Sequence, residues 1–111
     1  MTTTTTTNHH VWLSIGRNVG ADPMSDYDWN HFRYCLAREA GKAGTIVASV
    51  RDGVSAWHGG EEDTFLLLVS IPSARKVSAL KLSLARLARD YDQDAIGFVG
   101  GIGPTTVEAS K

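Results

Sequence analysis

The stretch TFLLLVSIPSARKVSALKLSLARLARDYDQDAIGFVG, residues 64–100, decides the fold. Its first eight residues are nearly all apolar, the pattern of a central strand covered on both faces. Pro72 stops that strand because it lacks a backbone N–H, and Ser73 offers a side-chain oxygen to cap a following helix. Val77, Leu80, Leu84, Leu87 and Tyr91 then recur at spacings of three and four, which places them on one face of an α-helix. Lys76, Lys81, Arg86 and Arg89 fall off that stripe, as a solvated surface requires. Residues 95–99 return to strand chemistry, and 104–111 reads as a tail rich in Thr and polar residues.

The first half repeats this plan. Val11, Leu13 and Ile15 alternate with Trp12, Ser14 and Gly16, which is a half-buried strand. Gly20, Asp22 and Pro23 supply a loop. Ser25 is an N-cap followed by Asp26 and Asp28, acids that favour the positive end of a helix. Met24 and Trp29 stand at the two positions of a hydrophobic staple, and Trp29, Phe32, Leu36 and Ala40 form one apolar stripe. Gly41 or Gly44 ends the helix. Residues 45–51 are β-branched and strand-like. Asp52-Gly53 is either a hairpin turn or a glycine bulge within one long strand, which leaves four or five strands in the sheet. Residues 59–63 read as an acidic turn.

Strand, helix, strand or hairpin, strand, helix, strand is the order of an α+β protein, a ferredoxin-like split β-α-β sandwich with two helices on one face of an antiparallel sheet. The domain spans 10–103, with a flexible threonine-rich extension over 1–9 that includes His9. The opposite sheet face, carrying Trp12 and part of the 65–69 run, then needs cover. An apolar face of that kind predicts a homodimer or higher oligomer.

Composition excludes several classes. The 111 residues suit one domain, and 42% apolar with 21% charged residues is ordinary for a globular chain. A net charge of -1 gives no general attraction to nucleic acid or anionic membrane. No apolar run approaches the ~20 residues of a membrane span, and the N-terminus carries no signal-peptide pattern, so a cytoplasmic location is expected. Cys35, the one cysteine, has no partner for an internal disulfide and reads as a structural thiol.

Leu13-Ser14-Ile15-Gly16-Arg17-Asn18, Met24-Ser25 and Asp28-Trp29-Asn30-His31-Phe32, together with Trp57, Asp63 and the strand at 65–71, resemble the domain-of-unknown-function 3574 family. That resemblance covers residues 11–71 and implies a fold, with no activity attached. Small size, the threonine-rich start and the missing export signal fit a phage accessory protein.

Two clusters can carry chemistry. Arg17 and Asn18 stand at the carboxyl end of the first strand, just ahead of a helix N-terminus, a geometry that suits an anion. Alternatively, Arg17 pairs with Asp26 or Asp28 and holds the loop. His58, between Trp57 and the acids Glu61, Glu62 and Asp63, offers an acid/base pair, or else belongs to a solvated turn. His31 reads as an exposed ring. No phosphate loop, dinucleotide fingerprint, nucleophile elbow or cysteine-pair motif occurs, so no catalytic residue, metal site or cofactor is assigned.

The expected function is a non-enzymatic homo-oligomeric binding protein for a small anionic, nucleotide-like ligand. Arg17 and Asn18 would reach the charged group, with Trp12, Trp57 and His58 lining the site. Two alternatives stand beside it. One is a small dimeric α/β-barrel-type enzyme using His58 as acid/base. The other is an interaction module or inhibitor acting through the apolar sheet face.

Overall fold

The computed structural model of the protein describes residues 8–57, 60–100 and 104–108. Its elements are β1 (His9–Gly16), β2 (Asn18–Val19), β3 (Asp22–Pro23), α1 (Asp26–Ala43), β4 (Thr45–Trp57), β5 (Gly60–Ile71), α2 (Ala74–Asp90), β6 (Ala95–Gly100) and β7 (Pro104–Glu108). The main sheet runs β4-β5-β1-β6-β7, and every pairing is antiparallel. Each helix therefore crosses over one intervening strand: α1 links β1 to β4 across β5, and α2 links β5 to β6 across β1. That is the expected split β-α-β arrangement.

The helices start where their side chains dictate. Asp28 N donates to Ser25 Oγ at 3.1 Å, and Lys76 N donates to Ser73 Oγ at 3.2 Å, so each cap satisfies a first-turn amide. Met24 and Trp29 are both buried, which closes the staple. On α1, Trp29, Phe32, Leu36 and Ala40 turn inward, and on α2, Leu80, Leu84, Leu87 and Ala88 do so. They meet Val11, Leu13 and Ile15 of β1, Phe65, Leu67, Val69 and Ile71 of β5, and Ile96 and Phe98 of β6 in one core. Burial of each large side chain contributes roughly 1.5–3 kcal/mol. Tyr91 stacks on Phe32 with ring centroids 4.6 Å apart, and its hydroxyl lies 3.8 Å from Cys35 Sγ at the edge of the core.

α1 ends at Gly44, whose N–H donates to Ala40 O. A Cβ at Gly44 would run into the Ser70 carbonyl of β5, so only glycine lets the chain leave the helix this close to the sheet.

Several sequence expectations change. Asp52-Gly53 is not a hairpin turn: β4 continues through it, with register shifts at Ile46/Ala48 and Val50/Gly53. The second shift is the glycine bulge, and it bends a 13-residue edge strand. The true β4–β5 reversal lies between Trp57 and Gly60, so Glu61, Glu62 and Asp63 belong to β5 rather than to a turn. At the ends, β1 already begins at His9, and residues 104–108, assigned on sequence to a tail, pair along β6 as β7 with Val107 buried. Among the described residues, no helix is long and apolar enough to cross a membrane.

The helix-free face of the sheet is apolar across its middle. Trp12 stands opposite Leu68 on one side and Val99 on the other. Trp12 is 37% exposed and Val99 43%, while Leu68 and Leu66 are half-buried.

Candidate functional site

The carboxyl end of β1 is where the polar chemistry collects. Arg17 Nε donates to Met24 O at 2.8 Å, and the two terminal nitrogens reach Asp26 Oδ1 at 2.6 Å and Asp63 Oδ2 at 3.3 Å. The hydrogen bond from Arg17 to Asp26 is the main reason its guanidinium is held more firmly protonated than usual. Of the two roles read from the sequence, Arg17 takes the structural one. It ties β1, the helix start and β5 together, and its charge is already matched by two carboxylates.

Asn18 is fixed through its backbone. Its N–H donates to Glu62 Oε2 at 2.9 Å, and its carbonyl accepts from Gln93 Nε2 at 2.9 Å. Residues 44 and 75 positions away thus hold the small β2–β3 hairpin at the carboxyl end of the central strand β1. Gly20, with φ of 62°, makes the turn of that hairpin.

These contacts frame a pocket of about 380 Å³ lined by Ser14, Gly16, Asn18, Glu62, Gln93 and Gly97, among others. The volume lies within the range of small-molecule sites. Two glycines create it. A Cβ at Gly16 would collide with the Glu62 carboxylate, and one at Gly97 would collide with Ser14 Oγ. Bare backbone at both positions lets Glu62 and Ser14 lie flat across neighbouring strands. Asp92 and Asp94 complete the rim, and among the described residues no basic side chain lines the pocket. The site therefore offers hydroxyl and carboxylate acceptors, suited to hydroxyl donors or a positive centre and repulsive to phosphate.

The structure separates the residues grouped on sequence grounds. Trp12 sits mid-strand on the open face, away from the Arg17 end of β1. Asn18 joins the pocket, and Arg17 lies beside it in a different hollow with Asp26 and Asp63. Trp57 ends β4; its side chain and all of His58 lie outside the described residues. His31 is exposed, with its ring 4.4 Å from that of Tyr27. Ser14, Gly97 and Gln93 escaped the sequence reading as site residues, and Glu62 was read only as a neighbour of His58 in an acidic turn. Glycines recurring at strand positions 16 and 97 were the one available signal, because a glycine inside a strand marks a close approach. Nothing local foretold a hydrogen bond spanning 75 residues.

No family model and no curated protein matches the chain. Two solved structures do. A phage SAM lyase in complex with S-methyl-5'-thioadenosine is 14% identical, with a TM-score of 0.60 over 92% of this chain and 90% of that one. Phage SAM lyase in its apo state is also 14% identical, with a TM-score of 0.62 over 100% of this chain and 97% of that one. At this identity the likeness establishes a shared fold.

Proposed function

We propose that this chain is a small homo-oligomeric protein of phage type that binds an adenosine-like ligand in the pocket at the carboxyl end of β1. The observation that carries the reading is the Glu62 carboxylate laid across Gly16 beside Ser14, in a pocket whose charged lining among the described residues is acidic. A ribose presents vicinal hydroxyls that donate to such acceptors. An adenosyl sulfonium adds a positive charge that the acids favour. This keeps the nucleotide-like part of the sequence expectation and replaces its anionic part with a neutral or cationic nucleoside, because Arg17 is already committed to Asp26 and Asp63. The shared fold with a protein solved in complex with S-methyl-5'-thioadenosine supports the ligand class.

Oligomerisation rests on the band formed by Leu68, Trp12 and Val99 on the helix-free face. Apolar side chains of that size, adjacent and partly exposed, are stabilised by burial against a second copy.

A second reading is an enzyme that cleaves S-adenosylmethionine. The name of the structurally similar protein favours it over the acid/base scheme built on His58.

Isothermal titration with S-methyl-5'-thioadenosine, S-adenosylmethionine and adenosine 5'-monophosphate tests the proposal. S-methyl-5'-thioadenosine is expected to bind with a Kd of about 100 µM or tighter, some 5 kcal/mol or more. Adenosine 5'-monophosphate is expected at least tenfold weaker, and Glu62→Ala should weaken the first ligand about tenfold or more. Equal or tighter binding of the monophosphate, or no heat with any of the three, contradicts the reading. Chromatography of the S-adenosylmethionine titration decides between binding and cleavage.

A further inference from the structure

Two helices do not cover five strands, and the shortfall falls on β4. Between α1 and this edge strand runs a groove of about 550 Å³, on the helix side of the sheet and separate from the Glu62 pocket. Its floor is Phe65 and Leu67, its helix wall includes Ala37, and Ile46 forms part of the strand wall. One guanidinium stands on each wall: Arg33 from α1 and Arg51 from β4.

Neither of these two arginines is held by a carboxylate within ion-pair distance among the described residues. Arg33 donates to the neutral Asn30 Oδ1 and lies 5.2 Å from the centre of the Trp29 ring, contacts that orient the guanidinium without neutralising it. Among the described residues neither Arg33 nor Arg51 makes an ion pair, and no acidic side chain lines the groove. Both arginines also line the neighbouring hollow with Asp26, Asp52 and Asp63; Asp26 and Asp63 are bound to Arg17, and Asp52 forms no ion pair with either arginine among the described residues.

We propose that this groove is a second binding site, for a small amphiphilic monoanion whose apolar body lies on Phe65 and Leu67 and whose carboxylate or sulfonate bridges Arg33 and Arg51. Charge complementarity selects the occupant. A planar anionic head accepts parallel N–H donors from a guanidinium, and the apolar floor takes up the remainder of the molecule. This site stands independently of the adenosine-type reading, since it shares no lining residue with that pocket.

Fluorescence titration with 8-anilinonaphthalene-1-sulfonate tests it, with the uncharged N-phenyl-1-naphthylamine as control. In the Arg33→Gln/Arg51→Gln protein, affinity for the sulfonate is expected to fall tenfold or more, while that for the neutral probe changes less than twofold. Octanoate and 1-naphthoate are then added as competitors. Displacement by octanoate assigns the groove to chain-type anions, and displacement by 1-naphthoate to ring-type anions. Unchanged sulfonate affinity in the double variant, or displacement by neither competitor, overturns the proposal. Both substitutions are at the surface of the groove, and retention of the wild-type circular dichroism spectrum separates lost binding from lost folding.

Discussion

Gly97 and Ser14 show how a single hydrogen atom in place of a methyl shapes this molecule. The two residues are paired across β6 and β1, and the serine hydroxyl occupies the space where a Cβ at 97 would be. Gly97→Ala should therefore destabilise the fold by about 1–3 kcal/mol through overpacking. Adding Ser14→Ala removes the colliding oxygen and should restore most of that loss in urea unfolding. If the double variant is no more stable than Gly97→Ala alone, the two residues do not share that space. Tyr91 carries a different prediction. Burial, reinforced by the Cys35 contact, pushes its hydroxyl up to about 12 from the ordinary value near 10. The unfolded chain thus releases this proton first as pH rises. The contribution to stability is complete below pH 10 and is lost between about 10 and 12. Tyr91→Phe should flatten that part of the stability profile, and an unchanged alkaline slope would refute the assignment.

At the scale of elements, the helices were the most legible part of the sequence. Their signals are local: a cap, a staple and a stripe at 3.6-residue spacing, all within one segment. Ser25→Ala should cost about 0.5–2 kcal/mol, because Asp28 N loses its acceptor at an otherwise open helix end. A thermal midpoint equal to that of the wild type would contradict this role. The strands were less legible, for a physical reason. Asp52-Gly53 has the chemistry of a tight turn, but its neighbours on β5 supply the pairing that keeps β4 extended through it. Local propensity was overridden by partners that the sequence alone does not reveal. The same holds for Glu62, which looked like part of a solvated turn until β5 carried it next to Asn18. Arg17 was half legible: a pairing with Asp26 or Asp28 was one of its two readings, while Asp63 is 46 residues away and had no local signal.

For the whole molecule, the order β4-β5-β1-β6-β7 places helices over one face and leaves the other to Trp12, Leu68 and Val99. Native mass spectrometry is expected to report an oligomer, and Trp12→Glu should shift it toward monomer by placing a charge on the apolar face. An oligomer unaffected by that change would locate the contact elsewhere. The architecture also sets two pockets of opposite character on one small domain. An acidic pocket lies at the end of β1, and an arginine-flanked groove lies between α1 and β4. The central claim concerns the acidic pocket, and the most direct measurement is an amide-resolved NMR titration with S-methyl-5'-thioadenosine. The account predicts that the largest shifts fall on Ser14, Gly16, Asn18, Glu62, Gln93 and Gly97. Shifts centred on Arg33 and Arg51, or none at millimolar ligand, would contradict it.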